Sequence, residues 1–326
     1  MTELMRAVGY RRNLPITDPE SLLDLSLPVP EPGDHDLLVR VEAVSVNPVD
    51  VKQRAGSNPH GKPRVLGWDA AGIVERVGSA VTLFRPGDEV WYAGSITRSG
   101  TNAELHLVDE RLAGPKPFSL SFAEAAALPL TSLTAWETLF DRLRLTSAST
   151  GTLLVLGAAG GVGSILVQLA RQLTGLEVIG TASRPESRQW VLGRGAHRVA
   201  GHDDLPGGVD YIFTPHSAGM IPAFAKILRP YGEVVAIDEP PHLDLLPLKS
   251  KSIAWHWELM FTRALHDPAS TAQHEILRQV AALVDKGVLH TTMTRRIDGI
   301  TAAGMREAHA IVEAGSAIGK TVVSGF

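Results

Sequence analysis

Residues 151–163 read GTLLVLGAAGGVG, and this stretch decides the fold. Thr152 to Leu156 is a short uncharged apolar run, as expected of a strand covered on both faces. Gly157, Gly160 and Gly163 follow at a spacing of three. Behind them Val162, Ile165, Leu166, Leu169, Ala170 and Leu173 mark one face of a 3.6-residue period, which predicts a helix over 161–173. Strand, glycine turn and helix together predict a dinucleotide site. A pyrophosphate must approach bare backbone at a helix N-terminus, where unpaired N–H groups and the helix dipole favour an anion. The candidate contacts are Gly157, Ala159, Gly160, Gly161, Val162 and Gly163. Ala159 departs from the strict G-x-G-x-x-G fingerprint.

The chain around this turn has 326 residues, 44% of them hydrophobic and 20% charged, enough for two domains of a soluble globular protein. A net charge of −4 gives no sign of nucleic-acid or anionic-membrane binding. There is no cysteine, which excludes disulfides, thiolate nucleophiles and cysteine-ligated zinc. The N-terminal MTELMRAVGYRR lacks the apolar centre of a signal peptide, so a cytoplasmic location is expected. None of the twelve histidines forms an H-x-x-x-H pair, and His197, His202, His216, His242 and His256 read singly as ordinary polar positions.

Residues 1 to about 120 read as mostly β. Strands are predicted at 37–46, 72–78, 88–92 and 103–108, separated by turns such as Glu31-Pro32-Gly33-Asp34 and Arg85-Pro86-Gly87-Asp88. From Ser121 two helices are predicted, broken near Pro129, with Ser121 as N-cap and Glu124 completing a capping box. Strands at 152–157, 176–182, 209–214 and 231–238 then alternate with helices at 161–173, 186–194 and 217–228, which predicts a doubly wound, mostly parallel sheet. Helices at 271–286 and 302–314 and a final strand in KTVVSGF return to the β–α texture of the first part. The expected division is 1–121 with 263–326 in one domain and 122–262 in the other.

A cofactor carrying a 2′-phosphate is expected from the end of the second strand. Position 183, twenty residues after Gly163, is where a carboxylate for a ribose hydroxyl is looked for, and it holds Ser183. Arg184 and Arg188 follow, one helical turn apart. A hydroxyl and two guanidiniums suit a phosphate, with Glu186 a competing partner for either arginine.

Several stretches in order resemble the medium-chain dehydrogenase/reductases: Asn47-Pro48-Val49-Asp50, the run from Gly67 to Gly78, Arg85 to Val90, Leu130 to Trp136, the glycine turn, and Gly319-Lys320. The resemblance implies a GroES-like β-barrel catalytic domain and a Rossmann domain, with NADPH between them. It also implies roles for Thr134, lining nicotinamide or ribose, and for His202, near the 2′-phosphate. Zinc-dependent members carry Gly-His-Glu where this chain has Gly67-Trp68-Asp69, and a cysteine ligand where it has Asn47. Indole and amide are not useful zinc ligands. The chain therefore resembles the zinc-independent quinone oxidoreductase branch, which implies hydride transfer to a quinone or α,β-unsaturated carbonyl, without metal. Enone reduction as the main activity and NADPH binding without turnover are the alternatives. Asn47 is the first candidate to donate to the developing oxyanion and Lys52 the second, while Trp68 reads as wall packing. A homodimer is expected, built by strand addition at Ser252 to Trp257, a β-rich run placed to follow the last strand of the parallel sheet.

Overall fold

The computed structural model describes residues 3–326. It divides into two compact units, residues 1–130 with 261–326, and residues 131–260. The first part of the chain runs β1 (Leu4–Tyr10), β2 (Leu23–Pro28), β3 (Asp36–Ser45), α1 (Pro48–Gly56), β4 (Arg64–Val65), β5 (Asp69–Val77), β6 (Glu89–Tyr92), β7 (Leu105–Asp109), β8 (Ala113–Pro115), α2 (Phe122–Ala126) and α3 (Pro129–Trp136). The second unit continues with β9 (Thr152–Val155), α4 (Gly161–Leu173), β10 (Glu177–Thr181), α5 (Pro185–Gly193), β11 (Arg198–Ala200), β12 (Val209–Thr214), α6 (Ile221–Ile227), β13 (Leu228–Ala236) and β14 (Ala254–Trp257). The chain ends with α7 (Thr262–His266), α8 (Ala272–Asp285), β15 (Met293–Asp298), α9 (Ala302–Glu313) and β16 (Lys320–Ser324).

The second unit is the doubly wound sheet. All its strands are parallel, in the order β11-β10-β9-β12-β13-β14, which is the dinucleotide-binding order 3-2-1-4-5-6. Leu154, Ile179, Ile212, Phe224 and Val234 fill its core, and burying each such side chain stabilises by roughly 1.5–3 kcal/mol. Helix α4 is buried throughout from Gly163 to Ala170, Ser164, Val167 and Gln168 included, so its burial extends beyond the face that its period marks, and Val162 and Leu173 of that face are only partly buried. Strand β14 is an edge strand, with Trp257 half exposed.

The first unit contains a seven-stranded sheet, β15-β16-β3-β5-β6-β8 with β7 on β3, and a three-stranded sheet, β2-β1-β4. Strand β16 lies antiparallel to β3, so the chain's last strand is hydrogen-bonded beside one of its first. Helix α2 packs on β3 and β5, and the first unit runs to Leu130, nine residues beyond the sequence boundary at 121/122. Among the described residues no helix is long and apolar enough to cross a membrane.

Several elements were not foreseen. Helix α1 follows Asn47 directly, where no helix was predicted. Pro48 sits in its first turn, preset for helix, and Asp50 accepts the Asn47 N–H at 2.8 Å. β11 and β15 are short or highly charged strands without apolar alternation. Helix α6 starts only at Ile221, because Ser217 N–H and Oγ are held by Asp238 and no helix opens there.

The glycine turn is dictated by crowding. Gly157 adopts φ +62°, a conformation that L side chains rarely take. A Cβ on Gly163 would lie 2.5 Å from the Gly157 carbonyl oxygen and 2.6 Å from Ala158 Cα, both backbone atoms. Gly160 has an ordinary φ of −75°, and its Cβ would meet only the Gly157 oxygen, at 3.3 Å. Gly163→Ala should therefore lower unfolding stability by about 1–3 kcal/mol, and Gly160→Ala by clearly less. Urea titration of the two variants checks this; equal losses would contradict the crowding argument.

Candidate active site

The turn between β9 and α4 ends in a helix start with no side-chain cap. Gly160 is the N-cap, and its N–H bonds the Gly157 carbonyl at 2.9 Å. Gly157 N–H donates to Thr181 Oγ1 on β10 at 3.1 Å, which ties the turn to the neighbouring strand. Gly157, Ala159, Gly160, Gly161 and Val162 are partly exposed, while Gly163 is buried beneath them. Backbone N–H groups of the first helical turn therefore face an open cradle with no side chain larger than valine. Ala159, the departure from the strict fingerprint, is itself partly exposed at this turn. Thr134, expected beside nicotinamide or ribose, is buried within α3.

At the C-terminal ends of β10 and β11 the structure gathers Ser183, Arg184 and Arg188. Ser183 and Arg184 are exposed, and Arg184 is the N-cap residue of α5. Glu186 pairs with Arg184 at 3.3 Å, with both side chains about half exposed, so the pair is a weak one. Arg188, expected as a second phosphate-binding guanidinium, is engaged with backbone carbonyls. Its Nη1 donates to Ala182 O at 3.1 Å and its Nη2 to Val199 O at 2.8 Å. It staples the ends of two parallel strands, leaving Arg184 as the outward-facing arginine of the two. His202 is exposed two residues beyond β11, and a groove of about 510 Å³ beside it is lined by Arg188, Ala200, Gly201 and Asp204.

In the first unit the residues singled out around Asn47 form a buried polar frame. Asp69, fully buried, opens β5 opposite Ser45 at the end of β3. One carboxylate oxygen, Oδ1, accepts the backbone N–H of Leu130 in the first turn of α3 at 2.7 Å. The other, Oδ2, accepts Ser45 Oγ at 2.7 Å, Asn47 Nδ2 at 2.8 Å and Lys320 Nζ at 3.2 Å. Lys320 also donates to Val46 O at 3.1 Å and to Asn47 Oδ1. Asn47 is thus engaged at both ends of its amide, Nδ2 reaching Ser45 O at 3.5 Å as well, and is 1% exposed. This corrects its reading as a donor held ready for substrate: the amide is a crosslink within the frame. Lys52 lies on the exposed face of α1, outside the frame. Trp68 is buried and meets Phe261 edge-on at 6.0 Å, as wall packing requires.

Asp69 and Lys320 are the buried ion pair of the frame, which reading the sequence missed, the two being 251 residues apart. The available signal was a single charge opening each of two otherwise small and apolar runs, Asp69-Ala70-Ala71 and Lys320-Thr321-Val322-Val323. The frame does not fit a zinc ion: it offers an amide, a carboxylate already neutralised by an ammonium, and an indole, with no sulfur or imidazole. Among the described residues no cluster of three or more His, Cys, Asp or Glu could hold a metal.

Residues 33–135 match the family model of the alcohol dehydrogenase GroES-like domain, and residues 191–323 that of the zinc-binding dehydrogenases. A zinc-type alcohol dehydrogenase-like protein of Staphylococcus epidermidis is 39% identical over 98% of this chain and 99% of its own length. The chain belongs to the medium-chain dehydrogenase/reductase superfamily. A solved Rhizobium etli CFN 42 structure, named after the zinc-dependent alcohol dehydrogenases, is 50% identical with a TM-score of 0.95, covering 100% of this chain and 99% of that one. The NADPH-dependent alkenal/one oxidoreductase of Arabidopsis thaliana is 36% identical over 66% of this chain and 58% of that protein. As a dehydrogenase/reductase the protein is an oxidoreductase, with the GroES-like and Rossmann-type parts that its sequence implied.

Asp50 lies beneath the frame, and burial pushes its carboxyl from 3.8 up to about 7, against the N–H groups of Asn47 and Gly67 and the Lys320 charge, which favour the ionised form. The folded chain therefore holds a proton there that the unfolded chain releases. Its contribution to stability is full below the unfolded value, falls as pH rises from about 4 to 7, and is level above that. Melting temperatures of the wild type and Asp50→Asn, measured across pH 4 to 8, should show the wild type losing ground to the variant over this window. A difference that does not change with pH would rule out the shifted carboxyl.

Proposed function

We propose that the protein is a zinc-independent, NADPH-dependent reductase that delivers hydride to the conjugated carbonyl system of a quinone or enone. The observation that carries this reading is the Asn47–Asp69–Lys320 frame, which stands where a metal-dependent relative would need its ligands and supplies none that suit zinc. Without a Lewis acid, the acceptor must spread its own developing charge. A quinone, itself a cyclic enedione, does so over its ring, and an enone over its conjugated system. The name of the Arabidopsis relative supports the same class of acceptor and the same cofactor.

The cofactor supplies a hydride from its nicotinamide ring, and the chain's residues bind and orient it. The cradle from Gly157 to Gly163 accepts the pyrophosphate against the first turn of α4. Ser183 and Arg184 hold the 2′-phosphate, with no carboxylate at the end of β10 to favour a bare ribose. Arg188 fixes the strand ends on which they stand. The frame keeps the turn between β3 and α1 in place, and the reduced acceptor takes its proton from water.

Oxidation of NADPH and NADH with a panel of quinones and enones, in the presence of a chelator, tests the reading. Turnover should persist in chelator and prefer NADPH. Arg184→Ala should weaken NADPH about tenfold, since a hydrogen bond to a charged group contributes about 1.5–3 kcal/mol and 1.4 kcal/mol is tenfold. NADH should be nearly unaffected. Loss of activity in chelator, or equal losses for both cofactors, would overturn it.

A homodimer through β14 belongs to the same reading. The strand is at the sheet edge, and Trp255 and Trp257 meet edge-on at 5.6 Å. An aromatic edge of this kind favours pairing with a second copy about a two-fold axis. The Ile253 N–H already bonds Leu248 O at 3.3 Å, so Trp257, half exposed, is the better probe. Light scattering should give a dimer for the wild type and a monomer for Trp257→Asp; a wild-type monomer would refute the assembly.

A further inference from the structure

The Lys320 ammonium has an unusual setting for a cation. Its side chain is 5% exposed, and the Asp69 carboxylate against which it lies is 0% exposed. Three oxygens from two stretches of chain converge on Nζ: the Val46 carbonyl at 3.1 Å, Asn47 Oδ1, and Asp69 Oδ2 at 3.2 Å. An ammonium has three N–H donors, and each of these oxygens takes one. The donor set is wholly oxygen with one formal negative charge. Sulfur and imidazole, which select transition metals, are missing, and the three oxygens are acceptors matched to the three N–H donors of an ammonium.

The consequences of the bond network run outward from that point. Through Asn47 the ammonium fixes the junction of β3 and α1, and through Asp69 it fixes the start of β5 and the Leu130 N–H at the start of α3. Removing it would leave a buried carboxylate uncompensated and two buried oxygens without their donor, which is costly in a dry interior.

We propose that Val46, Asn47 and Asp69 form a cation site occupied by the chain's own ammonium, and that Lys320 is a positioning residue for the acceptor side of the enzyme. What the frame requires is a small N–H-bearing cation at that point, whether or not it is attached to the backbone. The site therefore takes a primary alkylammonium ion when Lys320 is truncated. Beyond Cβ the missing piece is propylammonium, and no tetraalkylammonium ion can replace it, having no N–H to donate.

The test is Lys320→Ala with added amines. The melting temperature should fall relative to the wild type, and propylammonium should restore it, saturably and in the variant alone. Sodium and tetramethylammonium at the same ionic strength should not. A variant as stable as the wild type, or one stabilised equally by all three salts, would overturn the cation site. If the variant does not fold without amine, its refolding yield with and without propylammonium gives the same decision, and no recovery overturns the proposal.

The kinetic arm rests on the proposed reductase activity. There kcat of Lys320→Ala should fall about a hundredfold, as for a misplacement of about 1 Å. The dissociation constant for NADPH should change little, and propylammonium should recover kcat. In Lys320→Met combined with Asp69→Asn no charge is left uncompensated, so this chain should fold and bind NADPH like the wild type while kcat stays low and does not respond to amines. Wild-type kcat in that double variant would remove the positioning role. If the wild type itself oxidises no NADPH with quinones or enones, the functional reading fails and the melting measurements still decide the cation site.

Discussion

One carboxylate organises the first unit. Asp69 accepts hydrogen bonds from the last residue of β3, the residue after the following valine, the first residue of β16 and the first turn of α3. A buried carboxylate has about four lone-pair sites, and here its two oxygens receive four donors, three of them on Oδ2 and one on Oδ1. Replacing such a group by an apolar side chain can be harmless only if every donor is replaced as well. Four donors from four elements make that a change of the whole frame. This explains how a fully buried acid and a nearly buried lysine coexist in the core of the first unit.

The two units rely on different physics for their sites. In the second unit the site is backbone: a left-handed glycine, a glycine that nothing larger can replace without moving the turn, and a helix start left uncapped. In the first unit the site is a closed set of side chains that answer one another. Arg188 has features of both, a long charged side chain whose job is to hold the carbonyls at two strand ends.

The second unit was largely legible in the sequence because its signals are local. Period-two and period-3.6 runs alternate, glycines mark the turn, and βαβ crossovers leave little choice of topology. Ser121 and Glu124 announced their capping box by spacing alone, and the hydroxyl and carboxylate do bond each other, at 2.7 Å. The first unit was less legible. The strands β3, β5, β6, β7 and β16 were placed to within a few residues, but β1, β2, β4 and β8 were not foreseen, α1 hid behind Asn47, and β15 hid behind two arginines. The role of Asn47 could not be read at all, since its amide partners lie 22 and 273 residues away. Arg184 and Arg188 looked equivalent at one helical turn apart, and only the carbonyls of Ala182 and Val199 tell them apart.

The return of the chain's end to its beginning has a consequence for how the molecule is made. Residues 131–260 are one uninterrupted segment, and every strand of the parallel sheet pairs within it. Such a segment can complete its sheet as soon as it has left the ribosome. The first unit cannot. β3 lacks its neighbour β16, and Asp69 lacks its cation, until residue 320 has been synthesised. A nascent chain therefore carries a finished second unit and an open first one, with an acid in its core waiting for a lysine encoded some 250 codons later. Quality control by chaperones has its longest window on the N-terminal sheet, although that sheet is the first to be translated.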